Sequence, residues 1–312
     1  MAFVGKLAYL ALFPGLLFIY MAGLAARGLL GGMSGVVTGG SPRGPALGLP
    51  GVLRLLTAEC IPTGGSLSAV IWLAPPVMLF ALSWVSCMLF GVVGGDLALL
   101  FSLLLLSSAA VILICFSSEN PRVRQNGRSE AAALLGWAIP LALVIAGASL
   151  RTGEASVAGL IDWQVRNGGL LWSMEGGGAL AVAGTAMMLA AALLCALLLM
   201  RLRPLGRGMF SEAPAGIAQD ITGPPLALLR IAETASLAVA PLLLTALFLA
   251  GPASNWYEVA FWILKVLGLL LLLGIVDLVS ARARSDRLLP WSLGVGGGLA
   301  LAGLVLVWLG VS

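Results

Sequence analysis

The sequence predicts an all-α polytopic membrane protein with about eight transmembrane helices, both termini on the outer side, an amphipathic helix on the outer face and Arg-rich cytoplasmic loops. Three observations predict it. Hydrophobic residues make up 60% of the chain and mean hydropathy is +1.08, far above the apolar share of a soluble domain. Apolar runs of about twenty residues recur along the whole length, and about that many residues cross roughly 30 Å of hydrocarbon as a helix. The stretches between them alternate sharply in arginine content. A β-barrel would show short alternating segments instead, and no polar stretch is long enough for a soluble domain. Residues 1–312 read as a single integral membrane domain.

The spans fall at 6–27, 68–93, 97–117, 131–150, 176–200, 231–251, 256–280 and 289–311. The first follows Lys6 and is long enough to span, which argues against a cleavable signal despite the AGLAA sequence at 22–26. Loops 28–67, 118–130, 201–230 and 281–288 carry Arg43, Arg54, Arg122, Arg124, Arg128, Arg201, Arg203, Arg207, Arg230, Arg282, Arg284 and Arg287. The opposite face has Lys6, Arg151 and Arg166. The positive-inside rule makes the arginine-rich loops cytoplasmic and places both termini outside.

Loop 28–67 is rich in Gly and Pro, which favour compact turns. Leu53, Leu55, Leu56 and Ile61 give its second half an apolar face and predict a short interfacial helix. In segment 151–175, Val157, Leu160, Ile161 and Val165 recur at helical spacing with Trp163 and Trp172 nearby, the pattern of an amphipathic helix in the outer interface. Glycines and small residues run through the fifth and eighth spans and permit close helix approach.

Composition also excludes chemistry. The chain has no histidine, which rules out a bis-His haem protein and removes the commonest metal ligand and proton switch. Cys60, Cys87, Cys115 and Cys195 show no CxxC spacing, so neither a metal cluster nor a disulfide framework is expected. The net charge of +4 sets orientation and is no nucleic-acid footprint. Any redox cofactor belongs to partners.

Charge in the interior carries more information, because an ionisable group within a span is costly. Asp96 sits in an outer turn that water reaches. Glu130 starts the fourth span, after Arg128. Glu233 lies just inside the sixth, within pairing distance of Arg230. Lys265 falls near the middle of the seventh span, where it loses its proton, pairs with a carboxylate brought near by the fold (Glu233 or Glu258) or snorkels, which its central position makes harder. Asp277, about 18 Å further along that helix, is out of its reach and lies beside Arg282 and Arg284. The most polar stretch, Arg201–Ala235, concentrates Arg201, Arg203, Arg207, Glu212, Asp220, Arg230 and Glu233. It reads as a loop that meets a soluble partner and feeds protons inward.

These residues resemble a known family: the membrane subunit shared by complex I (in mitochondria, NADH dehydrogenase subunit 1) and the energy-converting, group 4 membrane-bound NiFe hydrogenases, formate hydrogenlyase-type complexes included. Arg43-Gly44-Pro45 followed by Gly51-Val52-Leu53 resembles the first cytoplasmic loop of that family. Gly94-Gly95-Asp96-Leu97 resembles the sequence before the third span of the hydrogenase branch. Ser117–Pro140 resembles the loop and helix start that precede a helix proline, and Met209-Phe210 through Gly223 falls where the family has an acidic run. Lys265, Asp277 and Arg282 follow a similar spacing in the hydrogenase branch. The chain departs from the pattern in two places: the acidic run is reduced to Glu212 and Asp220, and Ala138 and Ile139, not a glutamate, precede Pro140.

The resemblance implies a subunit that anchors a peripheral redox arm in a bacterial or archaeal cytoplasmic membrane. Its expected partners are hydrogenase-like large and small Fe–S subunits and antiporter-like membrane subunits. They would carry Fe–S clusters and a NiFe centre, with no cofactor on this chain and quinone use only thinly supported by the reduced acidic run. It marks Glu130, Glu212, Asp220, Glu233, Lys265 and Asp277 as proton-path candidates. Arg43, Gly44, Pro45, Arg128, Arg203 and Arg207 are candidates for contact with the arm. Two other readings are a stand-alone secondary transporter, against which the absence of a two-fold internal repeat argues, and a structural anchor without ion conduction.

Overall fold

The computed structural model describes residues 15–38, 49–59, 68–174, 178–202, 221–250, 256–280 and 285–311. Its elements are α1 (Leu16–Thr38), α2 (Leu49–Thr57), α3 (Ser68–Leu89), α4 (Leu97–Ser117), α5 (Pro121–Thr152), α6 (Val157–Asn167), α7 (Gly178–Leu199), α8 (Pro224–Phe248), α9 (Trp256–Val279), α10 (Ser285–Trp291) and α11 (Gly298–Val311). A π-helical stretch, Ser292–Gly297, joins the last two without a break. Among the described residues, eight helices are long and apolar enough to cross a membrane: α1, α3, α4, α5, α7, α8, α9 and the α10–α11 unit. Among the described residues, the extended pairing consists of one isolated bridge between Asp96 and Ser156.

Helix α8 is the axis of the bundle. Within its spanning stretch 83% of residues are buried, against 22% in α9 and in the α10–α11 unit, so a sheath of other helices surrounds it. Helices α1, α3 and α7 pack around it; α4 lies on α3, α5 sits between α4 and α7, and α11 closes against α5 and α7. The approaches are close where glycine allows. A Cβ on Gly184 of α7 would stand 2.6 Å from the Gly303 carbonyl oxygen of α11, and one on Gly303 would stand 2.7 Å from that of Gly184. At the α1–α8 crossing, a Cβ on Gly23 would overlap the Thr234 carbonyl. Without a hydrophobic driving force between helices in lipid, such backbone contact is what binds them.

Several boundaries differ from the sequence expectation. Helix α1 runs to Thr38, well past the expected end at residue 27. The expected loop 118–130 is mostly helix: Asn120 accepts a hydrogen bond from the Arg122 amide at 3.0 Å and Pro121 occupies the first position. An Asn cap followed by Pro is a strong start signal, and the polar first turns masked it. Arg122, Arg124 and Arg128 therefore stand on the helix, and Glu130 lies in its third turn instead of at its start. Likewise α8 begins at Pro224-Pro225, which puts Arg230 and Glu233 two turns inside it.

On the face opposite the arginines, Leu97 N donates to Ala155 O at 2.9 Å and Val157 N to Gly95 O at 3.1 Å, which pins the turn before α4 to the start of α6. The α5 helix ends at Gly153, whose φ of 72° is the left-handed conformation of a C-terminal cap. In α6, Val157 and Leu160 are buried as expected, but Val165 is exposed and Gln164 takes the inward position. Gln164 Nε2 donates to the Ala246 and Leu247 carbonyls at 3.0 and 2.8 Å, and its Oε1 accepts from Ala250 N at 2.6 Å. Those carbonyls belong to the last turn of α8, which has no intrahelical donors for them. The short α2 forms as expected and packs against α8. Its buried contact is Val52, while Leu53 and Leu56 are exposed.

Candidate functional site

The end of α7 is where charge gathers. The helix closes with Arg201 N bonded to Leu198 O at 3.0 Å and Leu202 N to Leu197 O at 2.8 Å. This is the double closure in which the penultimate residue adopts a left-handed conformation, usually as glycine. Here that residue is Arg201, with φ 58°, and Leu202 behind it is fully buried. The turn aims the guanidinium back across the bundle. Arg201 Nη2 lies 3.3 Å from Glu130 Oε2 of α5, and Nη1 donates to Glu233 Oε1 of α8 at 3.1 Å. Arg230 Nη1 lies 3.5 Å from the other oxygen of Glu233, one turn away on the same helix. Arg27, from the middle of α1, interacts electrostatically with Arg230 and Glu233. Three helices and a helix end thus supply three arginines and two glutamates. For Arg201, burial opposes the charge, but Glu130 and Glu233 outweigh it and hold its pKa above the ordinary arginine value.

Beside this cluster is a cavity of about 30 Å³. Glu130 and Arg201 form part of its wall, with Ser107 and Ser108 of α4, Trp137 of α5 and Ser236 of α8. One water needs about 10–15 Å³ of such volume and two to four polar partners, so this space has room for about two waters. Carboxylates, hydroxyls and a small polar cavity together can accept, hold and hand on a proton; they offer no nucleophile–base pair and, among the described residues, no cluster of three metal-ligating side chains.

Of the expected path residues, the structure brings Glu130 and Glu233 together. Lys265 stands elsewhere. Its Nζ donates to the Leu249 carbonyl at 2.5 Å and lies 5.2 Å from the centre of the Phe261 ring. Leu249 caps the far end of α8, sixteen residues and about 24 Å from Glu233 at helical rise. Among the described residues this ammonium therefore meets the negative end of a helix and an aromatic face in place of Glu233, and the side chain of Glu258 lies outside them. Asp277 is buried near the C-terminal end of α9, close to the point where Gly274 packs on Leu30 of α1. Arg128 is exposed on the arginine-rich face. Glu212, Asp220, Arg43, Gly44, Pro45, Arg203 and Arg207 lie outside the described residues.

Sequence reasoning anticipated the Arg230–Glu233 pair but missed Arg27 and the bridging role of Arg201. For Arg27 the signal was present: it stands inside an apolar run that continues past it to Thr38. Arg151 was also misread. Counted as an outer-loop charge, it is 3% exposed. Its Nη1 donates to Leu170 O at 2.6 Å and to Thr185 Oγ1, and its Nη2 to Ser173 O. It clamps the 168–174 segment to α5 and α7.

The fold has a counterpart among solved structures. The chain is similar to one in the structure of the membrane-bound sulfane sulfur reductase (MBS), an archaeal respiratory membrane complex, with a TM-score of 0.76 and 18% identity over 94% of this chain and 96% of that one. At that identity the likeness establishes the fold. No curated protein matches. The sequence matches the family described as NADH dehydrogenase over residues 7–308, nearly its whole length and all of the charge cluster, and the chain therefore belongs to that family.

Proposed function

We propose that this chain is the membrane subunit on which the peripheral redox arm of a complex I-like or energy-converting hydrogenase-like complex docks, and that Glu130 and Glu233 carry protons within it. The observation that carries the reading is the pair of carboxylates from α5 and α8, bridged by Arg201 beside a polar cavity. Ionisable groups at such depth mark ion paths. Family membership supports a place in a respiratory complex, as does the likeness to a chain of an archaeal respiratory membrane complex. The positive-inside rule makes the arginine-rich face cytoplasmic, in a bacterial or archaeal cytoplasmic membrane. Arg122 and Arg128 are exposed at the head of α5 on that face and suit contact with the arm. The partners are then hydrogenase-like large and small Fe–S subunits and antiporter-like membrane subunits.

The test is a mild-detergent pull-down of the tagged protein, with partners identified by mass spectrometry and iron and nickel assayed. Fe–S subunits with nickel point to the hydrogenase branch. The same arm without nickel points to an acceptor other than protons, as sulfane sulfur is for the similar complex. A lone chain without iron overturns the reading. For the proton path, Glu130→Gln and Glu233→Gln complexes are expected to assemble and to lose substrate-driven proton uptake into inside-out vesicles. Normal pumping by both sinks that half.

A further inference from the structure

We infer that Arg201 is a positioning residue that blocks proton exchange at the acid pair until its side chain releases Glu130. The inference rests on the reading of Glu130 and Glu233 as proton carriers, and three observations support it.

The first is the asymmetry of the pairing. Glu233 is held by two arginines, Arg201 at 3.1 Å and Arg230 at 3.5 Å, whereas Glu130 is paired with Arg201 at 3.3 Å. When Arg201 withdraws, Glu233 keeps Arg230, and Arg27 of α1 remains close. Glu130, which has no second arginine partner among the described residues, is then left on the cavity wall that it shares with Ser107, Ser108 and Ser236. Loss of the bridge thus creates one proton acceptor, and it is Glu130. The step is balanced: a hydronium in the cavity gives its proton to the Glu130 carboxylate and leaves water. While Arg201 is in place, the same hydronium meets a guanidinium, and like charges at short range in a weakly polar interior repel strongly.

The second is backbone strain kept for a side chain. Arg201 and Ala250 are the non-glycine residues with positive φ among those described. A left-handed conformation is strained for an ordinary residue, and glycine would hold the same closure without that strain. Strain retained at a charged residue that bridges two acids points to a role for the side chain.

The third is freedom to move. Arg201 itself lines the cavity, and its side chain is 31% exposed, about twice as open as either glutamate. It has space on one side of the bridge, and it stands just past Leu199, the last residue of α7.

The experiment uses the assembled complex in inside-out membrane vesicles without electron donor. A pH gradient is imposed, and its decay is followed with a pH-sensitive dye. Arg201→Gln and Arg201→Gly are expected to dissipate the gradient several-fold faster than the native complex. Adding Glu130→Gln to either variant restores a tight membrane, and Arg201→Lys, which keeps the charge, stays tight. A merely structural role would not make the leak depend on Glu130. Assembled Arg201→Gln and Arg201→Gly complexes as tight as the native one overturn the inference, and so does a leak that survives Glu130→Gln. If neither variant assembles, Arg201 is a folding residue and the inference also falls. Failure of the underlying reading looks different: Glu130→Gln alone would then pump normally, whereas a non-pumping Glu130→Gln with tight Arg201 variants removes only the role assigned to Arg201.

Discussion

Arg201 Nη2 and Glu130 Oε2 lie 3.3 Å apart across two helices, and the same guanidinium reaches Glu233 at 3.1 Å on a third. Charge pairing therefore links α5, the end of α7 and α8 on the arginine-rich face. The partners are unequal. Glu233 satisfies Arg201 and Arg230, so Glu233→Gln leaves two arginines short of a partner where Glu130→Gln leaves one. With charged hydrogen bonds contributing about 1.5–3 kcal/mol each, Glu233→Gln is expected to lower the Tm in detergent clearly more than Glu130→Gln. Equal shifts would mean that Arg230 draws nothing from Glu233.

Eight spans were legible because lipid demands about twenty apolar residues per crossing, and nothing else in a sequence produces such runs. Helix starts were less legible. Asn120-Pro121 and Gly223-Pro224-Pro225 each open a helix whose first turns carry arginines, and hydropathy treats those turns as loop. The charge cluster was half visible. Arg230 and Glu233 are neighbours by helical spacing, whereas Arg27, Glu130 and Arg201 meet them only through the packing of α1 and α7 on α8 and of α5 on α7. Arg151 was hidden for the same reason: besides the Thr185 hydroxyl, its partners are backbone carbonyls, those of Leu170 and Ser173 among them, which no side-chain pattern announces.

Gly23 marks the tightest crossing in the bundle. A Cβ there would overlap the Thr234 carbonyl, and both sides of the contact are backbone. Gly23→Ala must push α1 away from α8, and overpacking of this kind costs about 1–3 kcal/mol. Gly28→Ala, on the same helix with nothing within 4 Å of its Cβ, is the control and is expected to leave the Tm unchanged. If the two variants melt together, the α1–α8 approach is wider than described.

Arg151 makes its contacts through both guanidinium nitrogens at once, to Leu170, Thr185 and Ser173. Lysine keeps the charge but not the fork. Arg151→Lys is expected to destabilise by about 1–3 kcal/mol, since buried carbonyls lose their donors. It should also open the 168–174 segment to protease added on the outer side. A native digestion pattern would show that one donor suffices.

Lys265 binds the Leu249 carbonyl at 2.5 Å, at the end of α8 remote from Glu233. Helix α9 is otherwise held near this end by the contact of Trp262 with Phe90, ring centres 5.2 Å apart. Lys265→Met is expected to lower the Tm while leaving substrate-driven pumping intact, because the acid pair is untouched. Loss of pumping with an unchanged Tm would instead put Lys265 on the proton path.

Orientation is open to direct measurement. Cys87, Cys115 and Cys195 are buried, so replacing Cys60 alone gives a background with little reactive thiol. Arg122 and Arg128 are exposed at the head of α5, and Glu154 is exposed just past its other end. A single cysteine at 122 or 128 is expected to react with a membrane-impermeant maleimide in inside-out vesicles and not in intact cells, and a cysteine at 154 should do the reverse. The contrast uses one helix, so it does not depend on how the other spans are counted. Arginine content argues for this orientation because moving such loops outward opposes the membrane's charge rule. Labelling of position 122 in intact cells would invert the topology and put the Arg201 cluster on the outer side, where it could not receive protons from a cytoplasmic arm.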